Sequence, residues 1–193
     1  MTERTPERMV EPGTDNSIML RVRDGYIDEL GILFERHHMR LLGFFMKMTG
    51  DRSLSEDLVQ ESFIRILRYR DSFHADQGDF TMWMYRLARG IGIDHFRKSP
   101  RGRMTDIDDA MAGNEPSALE RIESDESAQI IRRSILELSP EKREVLVLRR
   151  FHFKKFTEIA EILDCSVSTV KTRAHRAMKD LRRIYIRQRQ GAP

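Results

Sequence analysis

The sequence lacks the residues that a disulfide framework or a cysteine-based zinc site requires. Its 193 residues include a single cysteine, Cys165, which excludes both. A lone free cysteine is usually inert packing, so we expect Cys165 to be a buried turn residue rather than a reactive thiol. Sparse cysteine also fits a reducing compartment, and we predict a cytoplasmic protein.

Long apolar runs are missing as well. No stretch approaches the ~20 apolar residues that a membrane-spanning helix needs. The amino-terminal residues 1–17 are polar and carry no secretory signal. We therefore predict no direct membrane insertion.

Catalytic motifs are also absent. The adjacent His37 and His38 would point roughly 100° apart on a helix, so they are poor joint ligands for a metal. The sequence contains no metal-spaced cluster, phosphate-cradling glycine loop or nucleophile elbow. We therefore expect neither an enzyme nor a cofactor or metal site.

Strand-like alternation and internal repeats are lacking too, whereas apolar residues recur with a helical period. Ser53 and Glu56 have capping-box spacing, and Ser139 precedes Pro140 as an N-cap and first-turn proline. The pattern predicts an all-α fold of two small helical domains joined by an acidic flexible linker. The predicted segments are a flexible tail at 1–17, a first domain at 18–100, the linker at 101–130, a second domain at 131–187 and a tail at 188–193.

What the sequence does contain is charge that is segregated along the chain. The net charge is only +3. Residues 104–129 nevertheless hold eight acidic residues and one basic residue, whereas residues 167–193 hold eight basic residues and one acidic residue. Segregation of this kind indicates different partners for different segments.

The basic segment follows a tight corner. Residues 157–183 predict two short helices separated by Asp164, Cys165 and Ser166, and the Ser166 hydroxyl can cap the second helix. A helix-turn-helix uses this arrangement to place its second helix in the DNA major groove. On these residues alone, an ordinary helical hairpin with a solvated basic face remains an alternative.

Two longer motifs carry a family resemblance. "SEDLVQESFIRILRYRDSF" followed by "FTMWMYRLARGIGIDHFRKSPR" resembles the second sigma domain of extracytoplasmic-function (ECF, group IV) sigma factors of the sigma-70 family. "LSPEKREVLVLRRF" with "TEIAEILDCSVSTVKTRAHRAMKDLRR" resembles their fourth domain. The resemblance covers about residues 18–185. It implies a transcription initiation factor that binds core RNA polymerase and directs it to promoters by recognising their −10 and −35 elements. Such a factor also helps to melt the promoter DNA.

The resemblance also implies where promoter DNA binds. The matching positions for the −35 element lie on the second helix of the corner, with Thr169 and Arg173 as phosphate contacts. The full −35 set is Ser168, Thr169, Lys171, Thr172, Arg173, His175 and Arg176.

For the −10 element, the family uses a loop that holds a flipped base and a basic helix that follows the phosphates. The matching residues are Phe73, His74, Asp76, Phe80, Trp83, Arg86, Arg89, His95, Arg97 and Lys98. The alternative is that the three aromatic residues belong to the core of the bundle. For Phe80 and Trp83 both roles remain open, whereas we favour an exposed ring for Phe73 because its loop is polar.

Protein partners are implied in the same way. Asp57, Gln60 and Glu61 match the surface that docks the polymerase β′ coiled coil, although a solvated helix face is the alternative. The resemblance also implies contact with the β flap, promoter DNA as a partner, and an anti-sigma factor that clamps the two domains. Residues 104–129 would thread toward the RNA exit path or form only a solvated tether.

The chain departs from the family pattern at three positions. Gly90 stands where the family commonly has asparagine, which puts one −10 contact in doubt. Phe153 and Lys154 replace a turn glycine and an apolar residue. We therefore expect a turn of different shape, or an added interaction, before the first helix of the corner.

A rival function remains open on the sequence alone, namely a polymerase-independent helix-turn-helix transcriptional regulator. Such a regulator would bind duplex DNA as a dimer without polymerase. A sigma factor instead would bind weakly when free and select promoters only with the core enzyme.

Overall fold

The structure, a computed structural model, describes residues 11–98 and 126–191. All regular elements in these ranges are helical, which confirms the predicted all-α class. Residues 11–98, the first unit, contain α1 Asp15–Arg23, α2 Leu30–Thr49, α3 Arg52–Arg68 and α4 Phe80–Lys98, with short 3-10 helices at Ile27–Glu29 and Arg70–Ser72. Residues 126–191, the second unit, contain α5 Glu126–Leu136, α6 Pro140–Arg150, α7 Phe156–Leu163 and α8 Val167–Gln190.

Helical structure begins slightly earlier than the predicted domain boundaries at 18 and 131. Thr14 caps α1 by accepting a hydrogen bond from the Ser17 backbone N–H at 3.3 Å. α5 begins at Glu126, inside the segment predicted as linker. The remaining parts of the predicted linker and tails, residues 1–10, 99–125 and 192–193, lie outside the described residues. No helix in the described ranges is both long and apolar enough to cross a membrane.

The α2–α3 junction is set by local backbone chemistry. Gly50 ends α2 with φ 76°, a left-handed conformation that glycine adopts without steric cost. Asp51 then caps α3, because its carboxylate accepts a hydrogen bond from the Leu54 backbone N–H at 2.9 Å. The predicted helix start at Ser53 is therefore wrong by two residues, since the carboxylate of Asp51 reaches the free N–H groups first.

The core of the first unit is built from the apolar stripes of α1 to α4. Leu33, Leu41, Phe45, Ile66 and Met84 are almost completely buried. Each such side chain contributes about 1.5–3 kcal/mol relative to an exposed position. These stripes fix the helices against one another and so determine which residues of α3 and α4 face outward.

The three aromatic residues assigned to the −10 element belong to this core. Phe73 is 1% exposed, Phe80 0% and Trp83 8%. The Phe73 and Trp83 ring centroids are 5.5 Å apart in an edge-to-face arrangement. The expectation of an exposed Phe73 is wrong, because the 3-10 helix at Arg70–Ser72 directs the next residue inward, where its carbonyl accepts a hydrogen bond from Arg23. For Phe80 and Trp83 the bundle-core alternative is correct.

The hydrophobic core continues into the second unit under the predicted corner. Val145, Leu148, Ile159, Val170 and Ala177 are buried between α6, α7 and α8. Their spacing is that of amphipathic helices, so the polar positions between them point outward. Ser139 and Pro140 occupy the N-cap and first position of α6, as the sequence predicts.

The two units pack against each other. α2 contacts α5 and α6, and α4 contacts α7. A Cβ atom built on Gly50 would lie 2.7 Å from Leu136 Cδ1, so α5 approaches the end of α2 closely. Arg143 of α6 also donates a hydrogen bond to the carbonyl of Met48 in α2.

Candidate nucleic-acid and protein interfaces

The basic helix α8 presents a continuous outward face. Val170 and Ala177 are buried, and the residues between them on the opposite side of the helix are exposed. Of the residues predicted to contact the −35 element, Ser168, Lys171, Thr172, His175 and Arg176 are exposed, whereas Thr169 and Arg173 are half-buried. The structure therefore brings this predicted set together on one helix.

The start of α8 is rich in hydroxyl groups. Ser166 caps the helix by accepting a hydrogen bond from the Thr169 backbone N–H at 3.1 Å, which confirms the predicted cap. Its Oγ also lies 2.9 Å from Ser168 Oγ and 2.8 Å from Thr169 Oγ1. Hydroxyls and free N–H groups at a helix N-terminus suit a phosphate oxygen, and they lie next to the basic face.

The corner itself adopts the predicted tight turn. Asp164 has φ 51°, a left-handed conformation that ends α7. Cys165 follows, half-buried, and packs against the core. The expectation of a buried turn residue is therefore met only in part, because Cys165 is half-buried.

An apolar groove adjoins the basic face. It has a volume of about 560 Å³ and lies between α6, α7 and α8. Phe153 is 82% exposed at its edge, and Met178 of α8 is also exposed. The other lining residues are Leu146, Arg149, Arg150, Phe156, Lys171, Ala174 and His175. The groove is therefore lined by apolar and basic side chains without a carboxylate.

The remaining −10 residues lie along the loop before α4 and on α4 itself. His74, Asp76 and Arg86 are exposed, and His95 is half-buried. Arg97 and Lys98 belong to the last turn of α4, and their side chains lie outside the described residues. Of the described side chains in this set, His74, Asp76 and Arg86 thus reach the surface, whereas the aromatic members do not.

Arg89 makes a specific contact with the other unit. Its Nε lies 3.1 Å from Glu144 Oε1 and donates to Oε2 at 3.3 Å. Glu144 is 8% exposed, and burial raises the pKa of its carboxyl even though Arg89 opposes this shift. In this arrangement Arg89 pairs with a carboxylate from α6 rather than facing solvent alone.

The predicted polymerase surface lies on α3. Asp57 and Gln60 are exposed, opposite the buried Val59, Phe63 and Ile66. Glu61 accepts a hydrogen bond from Arg65 at 2.8 Å, and Arg65 also donates to Asp94 of α4 at 3.1 Å. Glu61 is therefore partly engaged within the first unit, whereas Asp57 and Gln60 are accessible.

Sequence analysis missed a second group of residues, which lies between the units. Tyr85 Oη and His152 Nδ1 are 2.8 Å apart, and Lys154 Nζ donates to Thr81 Oγ1 at 2.8 Å. The sequence did contain a signal for this contact, because the loop departs from the family pattern at Phe153 and Lys154. Phe153 has φ 54°, and Lys154 supplies a new contact. Of the two expected alternatives the added interaction is observed, and Phe153 takes a left-handed conformation at the position where the resembling family has a turn glycine.

Gly90 has space around it. A Cβ atom built there would meet no atom within 4 Å outside the helix's own backbone. Close packing within the described part of the chain therefore does not require this glycine. The described residues likewise contain no group of three or more histidine, cysteine or carboxylate side chains that could hold a metal ion.

Comparisons with known proteins follow the two-unit division. A family model described as Sigma-70 region 2 matches residues 33–102, and one described as Sigma-70, region 4 matches residues 128–181. The chain is 32% identical over 179 residues to the ECF RNA polymerase sigma-E factor of Salmonella typhimurium, an alignment that covers 88% of this chain and 93% of that protein.

Solved structures with the same fold extend this comparison. CnrH, solved in complex with the cytosolic domain of CnrY, has a TM-score of 0.68 at 22% identity, over 88% of this chain and 96% of that one. RpoE from Bartonella quintana, solved with the anti-sigma factor NepR, has a TM-score of 0.64 at 20% identity, over 80% of this chain and 94% of that one. At these identities both comparisons concern the fold.

Proposed function

The chain belongs to the sigma-70 family of RNA polymerase sigma factors, as a member of the ECF group, and we propose that its two units divide promoter recognition between them. The second unit reads the −35 element as intact duplex. The first unit docks on core polymerase and binds the −10 element as it melts. A protein with this role acts in the cytoplasm and is a transcription initiation factor rather than an enzyme.

The observation that carries the proposal is the outward face of α8. Lys171, Thr172, His175 and Arg176 are exposed together on a helix whose first turn is capped by Ser166. Arginine and lysine can donate to guanine O6 and N7 in the major groove, while threonine can contact bases or phosphates. We assign Thr169 and Arg173, which are half-buried beside them, to the phosphate backbone.

For the −10 element we assign base contact to the polar residues of the loop. His74 and Asp76 are exposed and can form hydrogen bonds with an unstacked base. Arg86 and His95, with Arg97 and Lys98 further along α4, would follow the phosphates of the non-template strand. Phe73, Phe80 and Trp83 support the loop from the core, so their role is to position it.

Docking on the polymerase β′ coiled coil is assigned to Asp57 and Gln60, with Glu61 at the edge of the surface. Exposed carboxylates and amides of α3 suit a basic partner surface. The second unit would contact the β flap. The acidic residues 104–129 would then follow the basic channel toward the RNA exit path.

An anti-sigma factor is the expected regulatory partner. RpoE of Bartonella quintana was solved with such a protein. In this chain the groove beside α8 exposes Phe153 and Met178 next to Lys171 and His175. A partner that covers this groove would bury apolar surface and also block the −35 face.

Run-off transcription tests the proposed function. Purified core polymerase is assayed with and without the chain on genomic templates, and the new start sites are mapped. We expect start sites that share −35 and −10 sequences and appear only when the chain is present. No new start sites, together with a stable dimer that binds duplex DNA tightly without polymerase, would instead support a polymerase-independent regulator.

A matched pair of variants sharpens this assay. Arg176→Ala removes a cation from the assigned −35 face, whereas Arg182→Ala removes an exposed cation six residues further along α8. We expect reduced transcription at selected promoters for the first variant and little change for the second. Equal effects of both would contradict the assigned face.

A further inference from the structure

A cavity of about 510 Å³ lies where α2 and α4 meet the loop between α6 and α7. Its lining includes three cations and two imidazoles, which belong to Arg40, Lys47, Lys154, His37 and His152. The described residues that line it include neither aspartate nor glutamate. We call this space the cationic cavity. None of its three cations belongs to the surfaces assigned to promoter DNA or to polymerase.

The three cations differ in what surrounds them. Arg40 is exposed and has no ion-pair partner among the described residues. Lys47 Nζ lies 4.6 Å from the centroid of the Phe151 ring, which stabilises a positive charge without neutralising it. Lys154 pairs with Glu158 at 3.3 Å, so its charge is the one already matched by a carboxylate. Arg40 and Lys47 are therefore the cations that can best serve a ligand.

The cations of the cavity lie close enough together to act on one imidazole. Burial, together with the charges of these three side chains, lowers the pKa of His152 to about 4. His152 is therefore neutral at pH 7. Positive charges that converge on a partly enclosed space repel one another unless an anion lies between them. The cavity thus has the electrostatic character of an anion-binding site.

The inner wall of the cavity also has unsatisfied polar atoms. His37 Nδ1 and His152 Nε2 are buried and have no hydrogen-bond partner within the described residues, where only two other buried side-chain atoms share this state. Buried polar atoms are nearly always hydrogen-bonded, so their concentration at one cavity needs an explanation. A ligand rich in oxygen atoms, with the water molecules that it orders, can supply the missing partners.

The opposite ring nitrogens decide what each imidazole offers. Burial raises the pKa of Tyr85, so its hydroxyl keeps its proton and can donate to His152 Nδ1 at 2.8 Å. His152 then carries its own proton on Nε2 and offers a donor. Burial also lowers the pKa of His37, and its Nε2 lies 2.7 Å from Asp15 Oδ2, which accepts. The neutral His37 therefore offers an acceptor at Nδ1, so the wall presents one group of each kind.

Aromatic surface borders the cations. Phe151 and Phe153 both line the cavity, and they are 39% and 82% exposed. An exposed ring beside cations can stack on a nucleobase while the cations bind its phosphates. The volume of about 510 Å³ also lies in the range of about 300–1,000 Å³ that is common for sites of small molecules.

We propose that the cationic cavity binds a nucleotide that carries more than one phosphate group. Arg40 and Lys47 bind the phosphates, the ring of Phe153 stacks on the base, and the two imidazoles form the polar inner wall. This site is independent of the proposed promoter recognition, because none of these residues belongs to the −35, −10 or polymerase sets. Its test therefore needs neither DNA nor polymerase.

Isothermal titration calorimetry of the full chain tests the proposal. The chain is titrated with GTP, with ATP and with inorganic pyrophosphate. We expect one site per chain for at least one of the nucleotides, and weaker binding of pyrophosphate because it has no base. Absence of binding by both nucleotides would overturn the proposal. Pyrophosphate binding as tight as that of the nucleotide would overturn it as well, because the ligand would then be a simple polyphosphate.

Matched variants separate the cavity from the general basic charge of the chain. Arg40→Gln/Lys47→Gln removes two cations from the cavity, whereas Arg182→Gln/Lys179→Gln removes the same residue types from exposed positions on α8. We expect the first variant to bind the nucleotide about tenfold more weakly or worse, and the second to change its affinity less than about twofold. Equal losses would refute a site in the cavity. Circular dichroism verifies that both variants fold.

The contact with the base is tested at Phe153. Phe153→Ala should weaken nucleotide binding about fivefold or more, because a stacked ring is lost, and should leave pyrophosphate binding unchanged. Nucleotide binding that is unaffected by this substitution would overturn the assignment of the base to Phe153.

Chemical labelling locates the ligand on the wild type itself. Lysines are acetylated with and without the nucleotide, and the modified positions are quantified by mass spectrometry. We expect the nucleotide to protect Lys47 more than Lys155, which is exposed and does not line the cavity. Protection of Lys171 in place of Lys47 would put the nucleotide in the groove beside α8 and overturn the proposal.

Discussion

The two faces assigned to promoter DNA differ in how accessible they are. On α8 the −35 residues Lys171, Thr172, His175 and Arg176 are exposed together. On the first unit the three aromatic residues are in the core and Arg89 is paired with Glu144 of the other unit. One assigned face lies open along a single helix, whereas the other is partly engaged in contacts with the core and with the second unit.

The difference follows from what each face must bind. An intact duplex offers its major groove to any exposed helix, so the −35 face needs only a rigid scaffold. A melted strand exists only after polymerase has begun to open the promoter. The −10 residues therefore act on a target that forms later than the −35 duplex, and the predictions below test that contrast.

The largest expected effect concerns Phe73. Because its ring is fully buried, Phe73→Ala should lower the free energy of unfolding of the first unit by about 3–5 kcal/mol. Urea denaturation measures the change. His74→Ala, at the exposed neighbouring position, should cost less than about 0.5 kcal/mol. A small effect of Phe73→Ala, coupled to lost strand binding, would restore the stacking role that the structure argues against.

The second prediction concerns Arg176. If its guanidinium contacts a guanine with two hydrogen bonds, Arg176→Ala should weaken binding of selected −35 duplexes by about 1–3 kcal/mol. Polymerase-bound chain is titrated with labelled duplexes that differ at single base pairs. A loss that is equal on every sequence would identify Arg176 as a phosphate contact instead.

The third prediction concerns pH and the contact of His152 with Tyr85. Burial, together with the charges of Lys47, Arg40 and Lys154, lowers the pKa of His152 from 6.5 to about 4 in the packed arrangement. His152 of the unfolded chain keeps the ordinary value, so the unfolded chain gains a proton first as the pH falls below 6.5. The His152 contribution to the packed arrangement is therefore complete above pH 6.5 and is lost progressively as the pH falls toward 4.

One pH unit below 6.5, the loss is about 1.4 kcal/mol, or roughly tenfold in the folding equilibrium. Urea denaturation at pH 7.5 and 5.5 should show this loss in the wild type. His152→Asn should abolish most of this dependence, and its persistence in that variant would assign it to other groups. The groups facing the imidazole are Tyr85 from α4, Arg40, Phe44 and Lys47 from α2, and Lys154 from its own loop.

The smallest expected effect concerns Gly90. Since nothing in the described chain approaches it, Gly90→Ala should stabilise α4 by about 1 kcal/mol, and Gly92→Ala, equally open, should do the same. Comparing these two variants separates an effect on helix stability from an effect on DNA binding. If a strand backbone approaches Gly90 closely, only Gly90→Ala should weaken strand binding by the polymerase-bound chain.

Local patterns in the sequence predicted much of this molecule. The corner at Asp164 to Ser166, the cap of α8 and its outward basic face follow from residues within one or two helical turns of each other. The start of α3 was misplaced because two capping candidates, Asp51 and Ser53, lie two residues apart. Choosing between them requires the backbone geometry after Gly50.

The errors and omissions have a common physical origin in contacts between distant residues. Phe73 lies in a polar loop, but its burial depends on Arg23 and Trp83 from other elements. The contacts of His152 and Lys154 join residues that are 67 and 73 positions apart in the chain. No periodicity encodes such pairs, and only the departure from the family pattern at Phe153 and Lys154 indicated that the loop was unusual.

The most direct test of the contrast between the two faces compares two affinities in one pair of proteins. Arg176→Ala and Arg86→Ala, each bound to core polymerase, are titrated with a −35 duplex and with a −10 single strand from the same mapped promoter. We predict that Arg176→Ala weakens binding of the duplex about tenfold and changes binding of the strand less than about twofold, whereas Arg86→Ala shows the reverse pattern. Equal losses on both DNAs for either variant would contradict the account.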